Sequence, residues 1–235
     1  MRIDIWSDVV CPWCYIGKRR LETALAAFPH RDEVEVHWHA FELDPTAPDT
    51  REGTYDTRLA EKYGCSIEEA AQMTGNMTAV AATEGLEFHF ERALPGNTFD
   101  AHRLLHLAGE QGNPALQDAV KERLFRATFV EGEPIADREA LVRLVAEAGV
   151  DAELARTTLA EGTYAAEVRA DEQQAQALGI TGVPFFVIDN KYGVSGAQPA
   201  ELLGEVLAKA WQESAPLQMV ATGGGQGCEG DNCAV

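Results

Sequence analysis

Two close cysteine pairs dominate the chemistry this chain can do: "CPWC", Cys11 to Cys14, near the start, and "CEGDNC", Cys228 to Cys233, at the end. A close pair can close a reversible disulfide, hold half of a metal site or sit inertly in a core. Residues 2 to 6, "RIDIW", alternate like a strand and run straight into the first pair. From Cys14 to about Phe28, Tyr15, Leu21, Leu25 and Phe28 fall at helical spacing. Cys11 is thereby predicted at a strand-to-helix junction, where unpaired N–H groups and the helix dipole favour negative charge. A thiolate is the form of cysteine that attacks disulfides. Cys14, one turn further on, is placed to attack the resulting mixed disulfide and release the guest. Pro12 suits the first helical turn, where its missing N–H costs nothing.

The elements that must hold this pair can be read along the chain. "EVEVHWHAFEL" alternates as a second strand, and "DPTAPDTREG" breaks the pattern. A helical tract follows, from about 51 to 165. Ser66 with Glu69 forms a capping box, Asn97 precedes "TFDAHRLLHLA", and Asn113-Pro114, Asp137 and Asp151 open further helices. After a helix at about 164–178, "GITGVPFFVIDNKYGVSGAQ" reads as a loop ending in Val183-Pro184, a strand, a turn at Asp189-Asn190 and a short strand. "PAELLGEVLAKAWQ" is a last amphipathic helix. An α/β sheet interrupted by a helical insertion accommodates this order. The tail "TGGGQGCEGDNCAV" is Gly-rich with little to bury and is predicted to be a flexible segment.

"SDVVCPWCYIGKRRLE", "NTFDAHRLLHLA" and "GITGVPFFVIDNKYGVSGAQP" resemble the FrnE-like branch of the DsbA family over about residues 2 to 212. The resemblance implies a thioredoxin-like fold with an inserted all-helical domain. Residues 1–50 and 163–213 would form the discontinuous thioredoxin-like domain, 51–162 the insertion and 214–235 the tail. It implies Cys11 as nucleophile, Cys14 as resolving thiol and Pro184 as a cis proline beside the dithiol. Such a proline would let Val183 pair with an extended substrate, which Pro12, Trp13 and His102 would also contact. The more oxidising DsbA members have a histidine between their cysteines. Its replacement here by Pro12-Trp13, with Asp8 three residues before Cys11, predicts a Cys11 less acidic than in those oxidants and a dithiol poised for reduction or isomerisation.

Some FrnE-like members also carry a C-terminal CX4C. About 14 residues separate Glu213 from Cys228, a linker spanning ~20 Å r.m.s. and at most ~50 Å. Cys228 and Cys233 could therefore exchange disulfides with the first pair as an internal relay. An inert tail and a four-cysteine zinc site are the alternatives.

Other candidates are weaker. Cys65, before the Ser66 cap, reads as structural. His102 and His106 stand at i and i+4, a spacing that can bind metal, but no glutamate follows His102, so packing or groove lining is expected. His37 and His39 share a strand face as structural histidines. Asp4 lies beneath the active-site end of the first strand; a solvent-facing role is expected over proton transfer with Cys14.

Thirty-eight acids against nineteen bases give a net charge of −19, and the basic cluster is limited to Lys18–Arg20. That disfavours nucleic acid and anionic membranes as partners. No apolar run approaches the ~20 residues of a membrane span. No Walker or G-x-G-x-x-G sequence occurs, and no metal or other cofactor is expected. One arginine and no apolar h-region at the N-terminus predict a cytoplasmic protein, unless a leader has been removed. The function expected is thiol–disulfide exchange on protein or small-molecule disulfides and thiols. A glutathione-dependent isomerase of the 2-hydroxychromene-2-carboxylate type, which has serine for the first cysteine, is the alternative enzyme. A redox-sensing or zinc-holding partner protein is the non-enzymatic one.

Overall fold

The computed structural model describes residues 1–50, 52–94, 96–111 and 114–214. Its sheet begins with β1 (Arg2–Ser7), which pairs in parallel with β2 (Glu35–Ala40) after the intervening α1 (Pro12–Ala27). β3 (Phe185–Ile188) lies antiparallel on the other side of β1, and β4 (Tyr192–Ser195) closes the order β2-β1-β3-β4. Between β3 and β4 the chain turns through Asp189 and Asn190 at φ +48° and +54°. Asp and Asn tolerate that left-handed region better than other non-glycine residues, as the predicted turn requires.

Register decides which side chain meets which layer. Ile5 stands beside Trp38 and Phe186, and Ile3 beside Ile188. These apolar residues share one face, packed with Leu21, Ala24 and Phe28 of α1 and with Leu203, Leu207 and Ala210 of α9 (Ala200–Ser214). The alternate residues Asp4, Trp6, His37, His39, Phe185 and Val187 point to the other face. There Trp6 and Val187 meet Ala175 of α8 (Ala165–Ala177) and Ile180 beyond it.

Among the described residues six α-helices lie between β2 and α8: α2 (Tyr55–Tyr63), α3 (Ile67–Thr83), α4 (Phe99–Glu110), α5 (Pro114–Arg126), α6 (Arg138–Glu147) and α7 (Ala152–Glu161), with a π-helical turn at Ala127–Glu131. Several of their starts follow from capping chemistry. The Ser66–Glu69 box is complete, and the carboxylates of Asp137 and Asp151 accept from the N–H groups of Ala140 and Leu154. Helix α4 begins at Phe99 with Thr98 as its N-cap, while Asn97 Oδ1 accepts the Phe99 N–H. The helix begins one residue later than an Asn97 cap would put it, because the side chain reaches past Thr98. Leu104, Val120, Leu124, Leu141, Leu144, Val145 and Leu159 fill the core of this block, and Val9 from the loop before Cys11 is buried in it. With Val10 packed against the same cluster, these two valines tie the loop carrying the dithiol to the helices. Among the described residues no helix is long and apolar enough to cross a membrane.

Candidate functional site

Cys11 caps α1 from an extended conformation, φ −95° and ψ 111°, with Pro12 following it. Its N–H donates to Asp8 O at 3.1 Å, and the Cys14 N–H donates back to Cys11 O at 3.0 Å. The first turn carries no acidic side chain, so the positive end of the helix dipole faces Cys11 unopposed. Both cysteines are free thiols. Cys11 is 4% exposed and Cys14 fully buried. Burial first, then hydrogen bonding to Cys11 and the charge of that cysteine, push the Cys14 thiol well above its ordinary range.

The second wall comes from the far end of the sequence. The Val183–Pro184 bond is cis, and the Cys11 thiol donates to Val183 O at 3.6 Å. Gly17 on α1 makes room for the proline: a Cβ there would sit 2.9 Å from Pro184 Cγ and 3.3 Å from Phe186 Cζ. Gly17→Ala should therefore cost ~1–3 kcal/mol by overpacking. It should also lower turnover ~10-fold by displacing the Val183 carbonyl from Cys11. Chemical denaturation and a disulfide-reduction assay on one preparation check both; an unchanged denaturation midpoint would show that the contact yields freely.

Trp13 is 39% exposed beside the buried pair. Pro12 is buried and Val183 half-buried. Of the two roles expected for His102, it takes packing and does not line a groove where a substrate could touch it. It is 1% exposed, and its Nε2 lies 3.4 Å from the Asp8 carboxylate, itself 1% exposed. His106, one turn on, turns instead to Asp171 at 2.9 Å, so the i, i+4 pair serves two separate networks. Among the described residues no group of three or more His, Cys, Asp or Glu side chains is arranged to hold a metal ion. Cys65 is a free, half-buried thiol at the start of α3. Cys228 and Cys233 lie outside the described residues.

Asp4 is buried rather than solvent-facing, because its strand position points it at the layer of α8. It accepts from Arg2 Nε at 2.9 Å and His39 Nε2 at 2.7 Å. The other nitrogen of His39 bonds Asp171 Oδ1 at 2.7 Å. Burial alone would lower the His39 pKa, but the two carboxylates outweigh it and raise it to about 9. Hydrogen bonds to His39 and Arg2 likewise overcome burial and hold Asp4 at about 2. Asp4 is thus committed to a structural network with His39.

Two neighbours of the dithiol, Tyr55 and Lys121, escaped the sequence reading, and the partners of a third, Asp8, could not be read from its place three residues before Cys11. Tyr55 from α2 packs against the cluster that holds Cys11, and burial together with that cysteine pushes its hydroxyl up. Asp8 is kept below the usual carboxylate range: burial pushes it up, but His102, the Leu43 N–H and Lys121 prevail. Lys121 is wholly buried on the face of α5 formed by Gln117, Val120, Leu124 and Phe125. A charged residue within that stripe was the signal that could have found it.

The chain matches the DSBA-like thioredoxin domain over residues 2–208. It is 49% identical to a probable DsbA oxidoreductase from Streptomyces coelicolor, covering 100% of this chain and 99% of that one at a TM-score of 0.86. It is 29% identical over 190 residues to the uncharacterized Bacillus subtilis protein YwbO, covering 80% of this chain and 86% of the relative. The cytosolic disulfide reductase DsbM from Pseudomonas aeruginosa shares the fold at 21% identity and a TM-score of 0.59, covering 91% of this chain and 100% of that one. Extending over nearly all of the sheet and helices around Cys11, the match makes this chain a member of the DsbA family of thioredoxin-fold thiol–disulfide oxidoreductases.

Proposed function

We propose that the chain is a cytosolic thiol–disulfide oxidoreductase of the FrnE-like branch, working as a reductase or isomerase through Cys11-Pro12-Trp13-Cys14. The supporting observation is the position of Cys11: at a helix N-terminus, its carbonyl accepting the Cys14 N–H and its thiol facing Val183 O at 3.6 Å. Residues 1–50 and 163–213 are taken as the thioredoxin-like domain and 51–162 as the inserted helical domain. The compartment is that of the similarly folded DsbM.

The chemistry runs in two exchanges. Cys11, as thiolate, attacks one sulfur of a guest disulfide; the second guest sulfur leaves with the electron pair of the broken bond. Cys14 then attacks Cys11 Sγ, the bond between Cys11 and the guest breaks, and the protein is left as the Cys11–Cys14 disulfide. The guest is a protein segment or small molecule with a reachable disulfide, laid along the half-buried Val183 and against exposed Trp13. A thiol donor regenerates the dithiol, and the Cys228/Cys233 pair is the proposed internal route for those electrons. The serine-based isomerase reading is disfavoured by Cys11 itself, which would have to be dispensable for it to hold.

The test is reduction of a model disulfide by the full chain, Cys11→Ser and a chain ending at Glu213. Activity retained in Cys11→Ser overturns the reading; wild-type rates in the shortened chain overturn the relay alone.

A further inference from the structure

Lys18, Arg19 and Arg20 are neighbours in sequence but meet different parts of the fold. Lys18 and Arg19 pair with Glu22 and with Glu122 of α5, and Lys18 also meets Asp118. Arg20 turns elsewhere. It stands one helical turn beyond Gly17, the residue of α1 that makes room for Pro184. Its Nε donates to Glu84 Oε1 at 2.7 Å and its Nη1 donates to the Ala197 carbonyl at 2.6 Å. Both side chains of this ion pair are largely buried. Glu84 is the C-cap of α3, and Ala197 lies in the loop between β4 and α9. Ala197, like Val183, packs against the cluster that contains Cys11 and Cys14.

A short backbone path joins this contact to the dithiol. Gly196, next to Ala197, donates its N–H to Pro184 O at 2.8 Å, extending the pairing of Phe185 with Ser195 by one residue. Pro184 follows Val183, whose carbonyl accepts from the Cys11 thiol. Gly196 sits at φ +79°, and a glycine backbone has many other states open to it. A contact from outside the loop is what narrows that choice. The guanidinium carries its donors in one rigid plane, so seating Nε on Glu84 settles where Nη1 meets the Ala197 carbonyl. Hydrogen bonds from a charged donor are also roughly twice as strong as neutral ones. We infer that Arg20, braced by Glu84, is a positioning residue for the first exchange, holding the Gly196–Ala197 turn so that Val183 stays where a peptide guest pairs beside Cys11. The inference rests on the oxidoreductase reading and adds to it a residue that touches neither guest nor dithiol.

Two guests separate positioning from reactivity. A small disulfide needs only a reachable Cys11, whereas an extended peptide must also lie along Val183. Dipyridyl disulfide and a peptide whose cysteine carries a thiopyridyl group release the same chromophore. In each, a bond forms between Cys11 Sγ and one guest sulfur as the guest S–S bond breaks. The thiopyridine sulfur leaves with that electron pair and takes a proton from water. Cys11 is oxidised to a mixed disulfide and the departing sulfur is reduced.

The experiment is stopped-flow mixing of either guest, the peptide being uncharged, with the reduced full-length chain at neutral pH. The chain carries Cys65→Ser, Cys228→Ser and Cys233→Ser so that only the dithiol reacts. With Arg20→Met, which keeps the stem and removes every donor, the first phase on the peptide should slow at least ~10-fold. On dipyridyl disulfide it should stay within ~3-fold. Arg20→Lys keeps a charged donor for the Ala197 carbonyl and should bring the peptide rate back to within ~3-fold of the Arg20 chain. Unchanged rates in Arg20→Met, or equal losses on both guests, overturn the inference, because a merely structural residue does not choose between guests. Should Arg20→Met fail to fold, Glu84→Gln decides, since it leaves Arg20 in place and removes the charge that braces it. A peptide-selective loss of ~3-fold or more then supports the inference, and an unchanged ratio of the two rates refutes it. A chain with Arg20 intact that releases no chromophore from either guest overturns the oxidoreductase reading instead.

Discussion

Cys11→Ser is expected to lower disulfide-reduction turnover by at least ~10³-fold, while Cys14→Ser should accumulate a covalent adduct on Cys11 after a single exchange. A serine hydroxyl is not ionised at neutral pH, and oxygen does not enter the exchange that sulfur performs. Cys14 cannot take over the first attack, because it has no exposed surface and its thiol is held well above the ordinary range. In Cys14→Ser the first exchange still proceeds, because the helix N-terminus and the Val183 carbonyl remain around Cys11. With Cys228→Ser and Cys233→Ser added, so that the proposed relay cannot substitute for Cys14, no thiol partnering Cys11 is left to resolve the mixed disulfide. Intact-protein mass spectrometry should show one guest thiol added per chain in Cys14→Ser and none in the double variant. Equal trapping at Cys65 would reveal non-specific thiol reactivity, and turnover surviving in Cys11→Ser would remove Cys11 from the mechanism altogether.

The dithiol was legible in the sequence because its determinants are local. A strand period of two, a CxxC and a helical period follow one another within residues 2–28, and the helix begins at Pro12. The Ser66–Glu69 box and the Asp137 and Asp151 caps were equally readable, since a cap involves residues three apart. What stayed hidden depends on partners distant in the chain. His102 meets Asp8 across 94 positions and His39 meets Asp171 across 132. No periodicity carries such pairings. Asp4 shows the same limit: its alternation with Ile3 and Ile5 suggested an outward face. The sheet, however, is covered on both sides, so the residues between apolar ones are buried as well. Lys121 lay in plain view on the mostly apolar face of α5, but its partner, the Ser7 carbonyl, is decided only when α5 packs against the sheet.

The largest effect on stability is expected at Asp171, one of the buried carboxylates of that second face. Oδ1 bonds His39 Nδ1 at 2.7 Å, Oδ2 accepts the Ala40 N–H at 2.7 Å and bonds His106 Nε2 at 2.9 Å, and its backbone carbonyl accepts Trp6 Nε1 at 3.0 Å. One side chain thus satisfies a backbone donor of β2 and joins that strand to α4 and α8. Asp171→Ala strands the Ala40 N–H and a largely buried imidazolium at His39, and should cost ~3–5 kcal/mol. The loss should depend on pH with a definite sign. His39 is raised to about 9 in the folded chain from an unfolded value near ~6.5. Its contribution is therefore complete below ~6.5 and disappears as pH climbs through 9. Asp171 is depressed, by His106 and His39 against the opposing effect of burial, so its share is complete above ~4 and fades as pH drops. Urea unfolding should accordingly separate wild type from Asp171→Ala most widely near pH 5.5 and distinctly less at pH 9.5. A gap of the same size at both values would mean that His39 is already neutral in the folded protein, leaving only the hydrogen bonds to Ala40 and the rings to explain the loss.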